Sequence, residues 1–213
     1  MTYLKRSYMT TTFKNDDSFF TVAMPTRCPI GFWNIYRWVE KDDNAKFRFI
    51  RDLEIEQDRL TMKEIDDIYP EVKIIGIVTN PWARVAYSYE MSINPPYNFP
   101  NVEEINKQFS GINFTTFDTY VDSILTCNSL TNKPHPSLPQ SHWLEHGNKQ
   151  VDYLLRAESI NEDFKAIQNY FCTDRPLNIE NFKFDYQSYY SDKSKAVVGT
   201  IFADDIAKFC YEF

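Results

Sequence analysis

Residues 73–91 read KIIGIVTNPWARVAYSYEM, an apolar run followed at once by a helical pattern. The run is rich in Ile and Val and ends at Asn80-Pro81, which predicts a buried strand over residues 73–79 and a helix from Trp82. A strand that leads into a polar turn and a helix N-terminus is a favoured place to hold an anion, because free backbone N–H groups converge there. The stretch therefore predicts an α/β unit with an anion site at the turn.

Strands and helices alternate along the rest of the sequence. Short apolar runs predict further buried strands over residues 18–24 and 151–155. Helical patterns lie between these runs and after them. This alternation predicts parallel strands with helices on both faces of a small sheet, which is a three-layer α/β fold.

Two helices near the C-terminal end have clear sequence signals. Ser159 and Glu162 form a capping-box pattern that predicts the start of one helix. A last helix is predicted from about Asp192, because apolar residues recur there at helical spacing: Val198, Phe202, Ile206 and Phe209.

Length and composition limit the class of protein. The chain has 213 residues and a mass of 25.3 kDa, enough for one well-buried domain over residues 1–213 with little room for a second. The formal charge of −7 argues against a nucleic-acid partner, which favours a basic surplus. The N-terminus lacks the apolar core of a signal peptide and no apolar run is long enough to span a bilayer, so a cytoplasmic protein is expected.

The cysteines and histidines do not form a metal-binding pattern. The four cysteines are scattered without CxxC or Cys/His spacing, so we expect free thiols and no metal site. They are Cys28, Cys127, Cys172 and Cys210.

Four motifs, in order, resemble those of the sulfotransferases that use 3'-phosphoadenosine-5'-phosphosulfate (PAPS), in particular carbohydrate sulfotransferases of the family 2 type. The first is the strand followed by Asn80-Pro81, an aromatic residue and Arg84, and the second is Pro139-Gln140. The remaining two are carried by Asp152, Tyr153, Arg156, Glu158, Glu162 and Asp163, and by Asp205, Phe209 and Tyr211. The resemblance implies a P-loop-like α/β fold, PAPS as cosubstrate, and a hydroxyl acceptor that is a glycan.

The resemblance also implies cofactor contacts in two segments. In the family, the loop after the first strand (residues 25–31 here) cradles the 5'-phosphosulfate, and the turn after the second strand (residues 79–88 here) binds the 3'-phosphate. We expect the two segments to face each other across the C-terminal edge of the sheet. The implied contacts here are Thr26, Arg27, Cys28, Gly31, Thr79, Asn80, Arg84 and Ser88. This chain departs from the pattern at Thr26, where the cation of the family is either absent or supplied by Arg27 with a shift of one residue. It also departs at Thr79, where the family has Arg, and at Tyr87, where the family has Ser, although Ser88 is adjacent. Pro29 further removes one N–H donor from the first loop.

Sulfuryl transfer needs a cation at the leaving phosphate and a base for the acceptor hydroxyl. Arg27 is the cation of the first loop, and His142 and His135 are the candidate bases beside Pro139-Gln140. Glu90 is a further candidate base.

Two other functions are compatible with the same fold. A catalytically inactive binding protein that has lost PAPS would explain the substitutions at Thr26, Thr79 and Tyr87. A small nucleotide kinase is disfavoured, because the sequence lacks G-x-x-x-x-G-K-[Ser/Thr].

Overall fold

A computed structural model gives the structure of the protein. It describes residues 11–15, 18–23, 47–49, 73–95, 112–127, 138–147, 149–168, 177 and 180–213. The chain forms two compact units. The sheet unit comprises Met1–Val78 and His142–Phe182, and the helical unit comprises Thr79–Ser141 and Lys183–Phe213. That the chain behaves as a single domain stays a prediction.

In the described residues of the sheet unit, five strands form one mixed sheet in the order β3-β1-β2-β4-β7. They are β1 (Thr11–Asn15), β2 (Ser18–Ala23), β3 (Phe47–Phe49), β4 (Lys73–Val78) and β7 (Tyr153–Arg156). Strands β2, β4 and β7 run parallel, with Val22 opposite Ile75 and Ile77 opposite Leu155. Strand β1 is antiparallel to both of its neighbours. The predicted α/β class and its parallel central strands are confirmed.

The third predicted strand lies two residues later than expected at its start. A small hairpin, β5 (Glu145–His146) with β6 (Lys149–Gln150), precedes it. Val151 donates its N–H to the carbonyl of Leu144 across 3.2 Å, so its backbone extends the pairing of the hairpin and does not begin β7. A Cβ on Gly76 would come within 2.9 Å of Leu144 and 3.0 Å of Val151, so these side chains lie directly over the backbone of β4. Only glycine permits that approach.

The helix α4 (Ile160–Ile167) follows β7 and buries Ile160, Phe164 and Ile167. The predicted capping box at its start is wrong, because the Ser159 side chain makes no cap bond. The Ser159 hydroxyl instead donates to Oδ2 of Asp163 at 3.2 Å, and the Arg156 N–H donates to the same oxygen at 2.6 Å. The acidic residue that organises this helix start is therefore Asp163 and not Glu162.

The helical unit contains α1 (Pro81–Ile93), α2 (Phe117–Cys127), α5 (Asp192–Ile201) and α6 (Ala203–Phe209). A short helix, α3 (Ser141–Leu144), lies between α2 and β5 in sequence and begins at Ser141, the last residue of the first segment of this unit. Helices α1, α2 and α5 share a core formed by Trp82, Val85, Ala86, Tyr89, Ile112, Phe117, Tyr120, Val121, Val198 and Phe202.

The predicted last helix is in fact two helices, α5 and α6, which meet at Phe202. Phe202 leaves helical geometry with a φ of −108°, yet its N–H donates to Val198 and its carbonyl accepts from Ile206. The hydrogen bonding continues on both sides, so the apolar spacing is the same as in one continuous helix. None of the helices in the described ranges is long and apolar enough to cross a membrane.

Candidate functional site

The turn between β4 and α1 is capped by the side chain of one of its own residues, Asn80. Oδ1 of Asn80 accepts from the N–H groups of Trp82 at 3.0 Å and Ala83 at 3.4 Å, which makes Asn80 the N-cap of α1. Arg84 donates its N–H to the Asn80 carbonyl, and Pro81 at the first helical position has no N–H. The N–H groups that were expected to converge on an anion are therefore used within the turn.

The backbone of Thr79 is bracketed by the side-chain amide of Gln140. Thr79 donates its N–H to Oε1 of Gln140 at 2.9 Å, and Nε2 of Gln140 donates to the Thr79 carbonyl at 2.8 Å. Both residues are fully buried. Thr79 directly precedes the N-cap of α1, and its N–H and carbonyl are thus hydrogen-bonded as they would be to a neighbouring strand.

Asp205, in the first turn of α6, holds the backbone of the segment that carries Gln140. Its Oδ2 accepts from the Gln140 N–H at 2.5 Å, and its Oδ1 accepts from the Ser141 N–H at 2.9 Å. Asp205 is 0% exposed. One buried carboxylate therefore binds two successive backbone N–H groups. Both hydrogen bonds are charge-assisted, which makes them stronger than bonds between neutral groups.

Arg84 lies inside the helical unit and is 0% exposed. Its Nη2 donates to the Leu138 carbonyl at 2.8 Å, and its guanidinium lies 4.9 Å from the centre of the Phe202 ring. These contacts connect α1 with the segment before Gln140 and with the junction of α5 and α6.

The C-terminal residues contact the same turn. Nδ2 of Asn80 donates to the Glu212 carbonyl at 2.7 Å and to the Tyr186 hydroxyl at 3.4 Å. The ring of Phe213 meets Trp82 edge-on, with 5.6 Å between the centroids, and Nζ of Lys195 lies 3.8 Å from the Phe213 ring centre. The donor and acceptor groups of the Asn80 side chain are both engaged inside the unit.

Further along α1, the polar side chains face two different environments. Ser88 is 0% exposed and accepts from the Tyr120 hydroxyl at 3.2 Å, within the core of the helical unit. Glu90 is half-buried and accepts from the Tyr189 hydroxyl at 2.7 Å and from Nδ2 of Asn94 at 2.8 Å. Tyr87 is half-buried against Phe184.

The tyrosines in this part of the unit have raised pKa values. Burial, the hydrogen bond to Glu90 and the nearby negative charges raise the pKa of Tyr189 to about 12. Burial raises the pKa of Tyr190 well above its usual value, with Tyr120 and Tyr186 adding to the effect. Burial and the Glu90 charge also raise the pKa of Tyr89. These phenols are held in their neutral, donating form.

Of the predicted site residues, Thr79, Asn80 and Arg84 come together at the start of α1. Ser88 lies two turns further along that helix, in the core. His142 is exposed on α3. The described residues do not include the remaining predicted ones, which are Thr26, Arg27, Cys28, Gly31 and His135. The predicted approach of loop 25–31 to turn 79–88 therefore also lies outside the described residues.

Gln140 and Asp205 were not predicted as site residues, although both belong to motifs that carry the resemblance. The sequence contains no local signal for their roles, because each contact joins residues more than 60 positions apart: 61 for Thr79 with Gln140, and 65 for Gln140 with Asp205. Within the described ranges, no group of three or more His, Cys, Asp or Glu side chains is arranged to hold a metal ion.

Comparison with solved structures finds a likeness to the crystal structure of mouse sulfotransferase SULT7A1 complexed with PAP. The TM-score is 0.46 and the sequence identity 13%, over 92% of this chain and 95% of that chain. No residue role is transferred at this level of similarity. No protein-family model matches the sequence, and no curated protein matches it either.

Proposed function

We propose that this chain is a sulfotransferase that moves a sulfuryl group from PAPS to a hydroxyl acceptor, in particular a carbohydrate. The observation that supports the proposal is the hydrogen-bonded set of Thr79, Gln140 and Asp205, which lies next to the N-cap residue Asn80. Three separate sequence motifs that resemble the sulfotransferase pattern supply these residues. This set follows the carboxyl end of β4, and ligands of open α/β sheets bind beyond the carboxyl ends of the strands.

The proposed chemistry is an in-line displacement at sulfur. The acceptor hydroxyl oxygen forms a bond to sulfur, the bond from sulfur to the phosphate oxygen breaks, and the hydroxyl proton passes to a base. In this proposal Arg27 stabilises the departing phosphate oxygen, and His142 or His135 takes the proton. Positioning and preorganised charge supply most of the acceleration, by analogy with phosphoryl transfer.

Calorimetric titration with 3'-phosphoadenosine-5'-phosphate, the desulfated product, tests the proposal first. We expect binding of this nucleotide and much weaker binding of ATP, which lacks the 3'-phosphate. Transfer of radiolabelled sulfate from PAPS to a panel of glycans then tests the activity and the acceptor class. A protein that binds neither nucleotide and labels no glycan is not a sulfotransferase.

A second candidate function is a catalytically inactive binding protein that has lost PAPS. It is favoured by the start of α1, where the N–H groups of Trp82 and Ala83 are taken by Asn80. Arg84 and Ser88, the proposed contacts to the 3'-phosphate, are buried in the helical unit. This candidate predicts glycan binding without nucleotide binding, so the same titrations, with glycans added as ligands, separate it from the enzyme.

A further inference from the structure

Asp205 is a fully buried carboxylate in the helical unit, and charged side chains are rarely fully buried without partners. Burying a charge is far more costly than burying a neutral polar group unless hydrogen bonds compensate it. Here the compensation comes from two successive backbone N–H groups, those of Gln140 and Ser141. A carboxylate can accept both bonds at once, whereas an amide of the same shape offers one oxygen and one donor.

Gln140, whose backbone is bound by Asp205, in turn binds another residue through its side chain. The backbone of Gln140 is bound to Asp205, and its side-chain amide brackets the peptide of Thr79 from both sides. Asn80, the N-cap of α1, comes directly after Thr79. A continuous set of contacts therefore runs from α6 through Gln140 to the turn between β4 and α1.

A third contact fixes the same segment from another side. Arg84 donates to the carbonyl of Leu138, two residues before Gln140. Residues 138–141 are thus attached to α1 by Arg84, to the turn by the Gln140 side chain, and to α6 by Asp205. A short loop held at three points has little freedom to move.

We propose that Asp205 is a positioning residue that sets the geometry of the turn between β4 and α1 through Gln140, without itself touching a substrate. The functional part of this inference rests on the proposed sulfotransferase activity, in which that turn faces the nucleotide. The structural part, that removal of the carboxylate is transmitted to Thr79, is measurable without any activity.

Hydrogen exchange of backbone amides tests the transmission in the full chain. Asp205→Asn keeps the size of the side chain and replaces one acceptor oxygen by a donor. We expect exchange at the Gln140 and Ser141 amides to rise by about 10- to 100-fold, the factor that corresponds to one charge-assisted hydrogen bond. Exchange at Thr79 should rise as well, although Thr79 does not touch Asp205.

Two variants serve as controls. Asp204→Asn makes the same chemical change at the exposed neighbouring position of α6 and should leave all three amides unchanged. Val198→Ala removes buried apolar volume from α5. It should lower global stability and raise exchange broadly, without singling out the turn. Faster exchange at Gln140 and Ser141 with an unchanged Thr79 in Asp205→Asn would overturn the inference.

A second substitution keeps the test decisive if Asp205→Asn does not fold. Gln140→Met removes the bracket around Thr79 but retains the backbone N–H that binds Asp205. We expect faster exchange at Thr79 and unchanged exchange at Ser141. If Thr79 stays protected in this variant, Gln140 does not transmit the position of Asp205 and the inference is wrong.

Kinetics supply the functional readout. A misplaced turn should lower kcat by on the order of 10²-fold in Asp205→Asn and should also raise KM for PAPS, because the turn is proposed to bind the 3'-phosphate. Val198→Ala, assayed below its unfolding temperature, should retain kcat. Equal kcat values in Asp205→Asn and the wild type would show that Asp205 serves folding alone. A wild-type protein without activity refutes the proposed function, and the exchange results then still decide whether Asp205 positions the turn.

Discussion

The hydroxyl of Tyr189 donates to Oε2 of Glu90 across 2.7 Å and connects the 3-10 turn before α5 to α1. The second oxygen of the same carboxylate accepts from Asn94, at the end of α1. Glu90 was a candidate base on sequence grounds, and both of its oxygens make intramolecular contacts in the structure. A phenol that donates to a carboxylate is stabilised in its protonated form, which has a measurable effect at high pH.

Tyr189 should ionise at about pH 12, because burial, the Glu90 hydrogen bond and nearby negative charges raise its pKa from 10.0. A pKa raised in the folded state gives a stabilisation that is complete below pH 10 and is lost as the pH rises towards 12. An ultraviolet difference titration of wild type against Tyr189→Phe measures the ionisation. Glu90→Gln should lower the Tyr189 pKa but leave it above the ordinary value, since burial remains. Asp185→Asn, which removes the smallest contribution, should lower it less.

Asn80→Ala should lower the free energy of unfolding by about 1–2 kcal/mol, the upper part of the range for a lost N-cap. The reason is that Trp82 and Ala83 lose their acceptor at the start of α1. Urea unfolding followed by circular dichroism gives the value. Asn80→Asp keeps the capping oxygen and loses the donor to the Glu212 carbonyl and the Tyr186 hydroxyl, so it should cost less. Equal losses in the two variants would contradict the cap as the source of the effect.

Arg84→Ala should lower the free energy of unfolding by about 2–5 kcal/mol, the range for truncating a large buried side chain. Arg84 is fully buried, and its removal also takes a donor from the Leu138 carbonyl. Thermal unfolding measures the loss. Lys193→Ala removes an exposed cation whose partner is Asp122 and should cost much less, because solvent screens an exposed ion pair. Unchanged stability of Arg84→Ala together with weaker binding of the desulfated nucleotide would instead make Arg84 a phosphate ligand.

Arg27→Ala should lower kcat for sulfuryl transfer by about 10²–10³-fold, the range for loss of one donor that stabilises transition-state charge. Circular dichroism should show an intact fold. Arg37→Ala removes a cation outside loop 25–31 and should keep full activity. Equal kcat for Arg27→Ala and the wild type would remove Arg27 from the proposed mechanism.

The two candidate histidines should differ when each is changed to alanine. The one that acts as the base should lose about 10²–10⁴-fold in kcat, and the other should barely change. The labelled-sulfate assay applied to His142→Ala and His135→Ala distinguishes them, with His146→Ala as the control. If neither variant loses activity, the base lies elsewhere in the chain.

The parallel strands were predictable because buried parallel strands are continuous apolar runs, as in residues 73–78. Strands β1 and β3 were missed, since TTFKN and FRF are short and partly polar. Their existence depends on pairing with strands elsewhere in the chain.

The break at Phe202 was missed for a different reason. The apolar spacing from Val198 to Phe209 is the same for one helix and for two that meet at a buried residue.

The strand and the helix that flank the turn were predicted from the sequence, whereas the role of the turn as a functional site stays a prediction. An Asn-Pro pair at the end of a strand is compatible with an anion site and also with a self-capped helix, and the structure has the self-capped form. The bracket of Gln140 around Thr79 depends on contacts between distant parts of the chain. No local pattern encodes it.

The bond from Asn80 to the Glu212 carbonyl joins residues 132 positions apart, which bears on biosynthesis. While the chain emerges from the ribosome, the turn after β4 is exposed long before the acceptor of that bond has been made. Contacts of such high sequence separation form late, because the loop must close before they contribute. Until then, Trp82 and the apolar side of α1 remain uncovered by Phe213 and by α5, so the nascent helical unit exposes a hydrophobic surface. Chaperones that bind such surfaces should therefore associate with this protein after α1 has been synthesised and leave once α5 and residues 205–213 have docked.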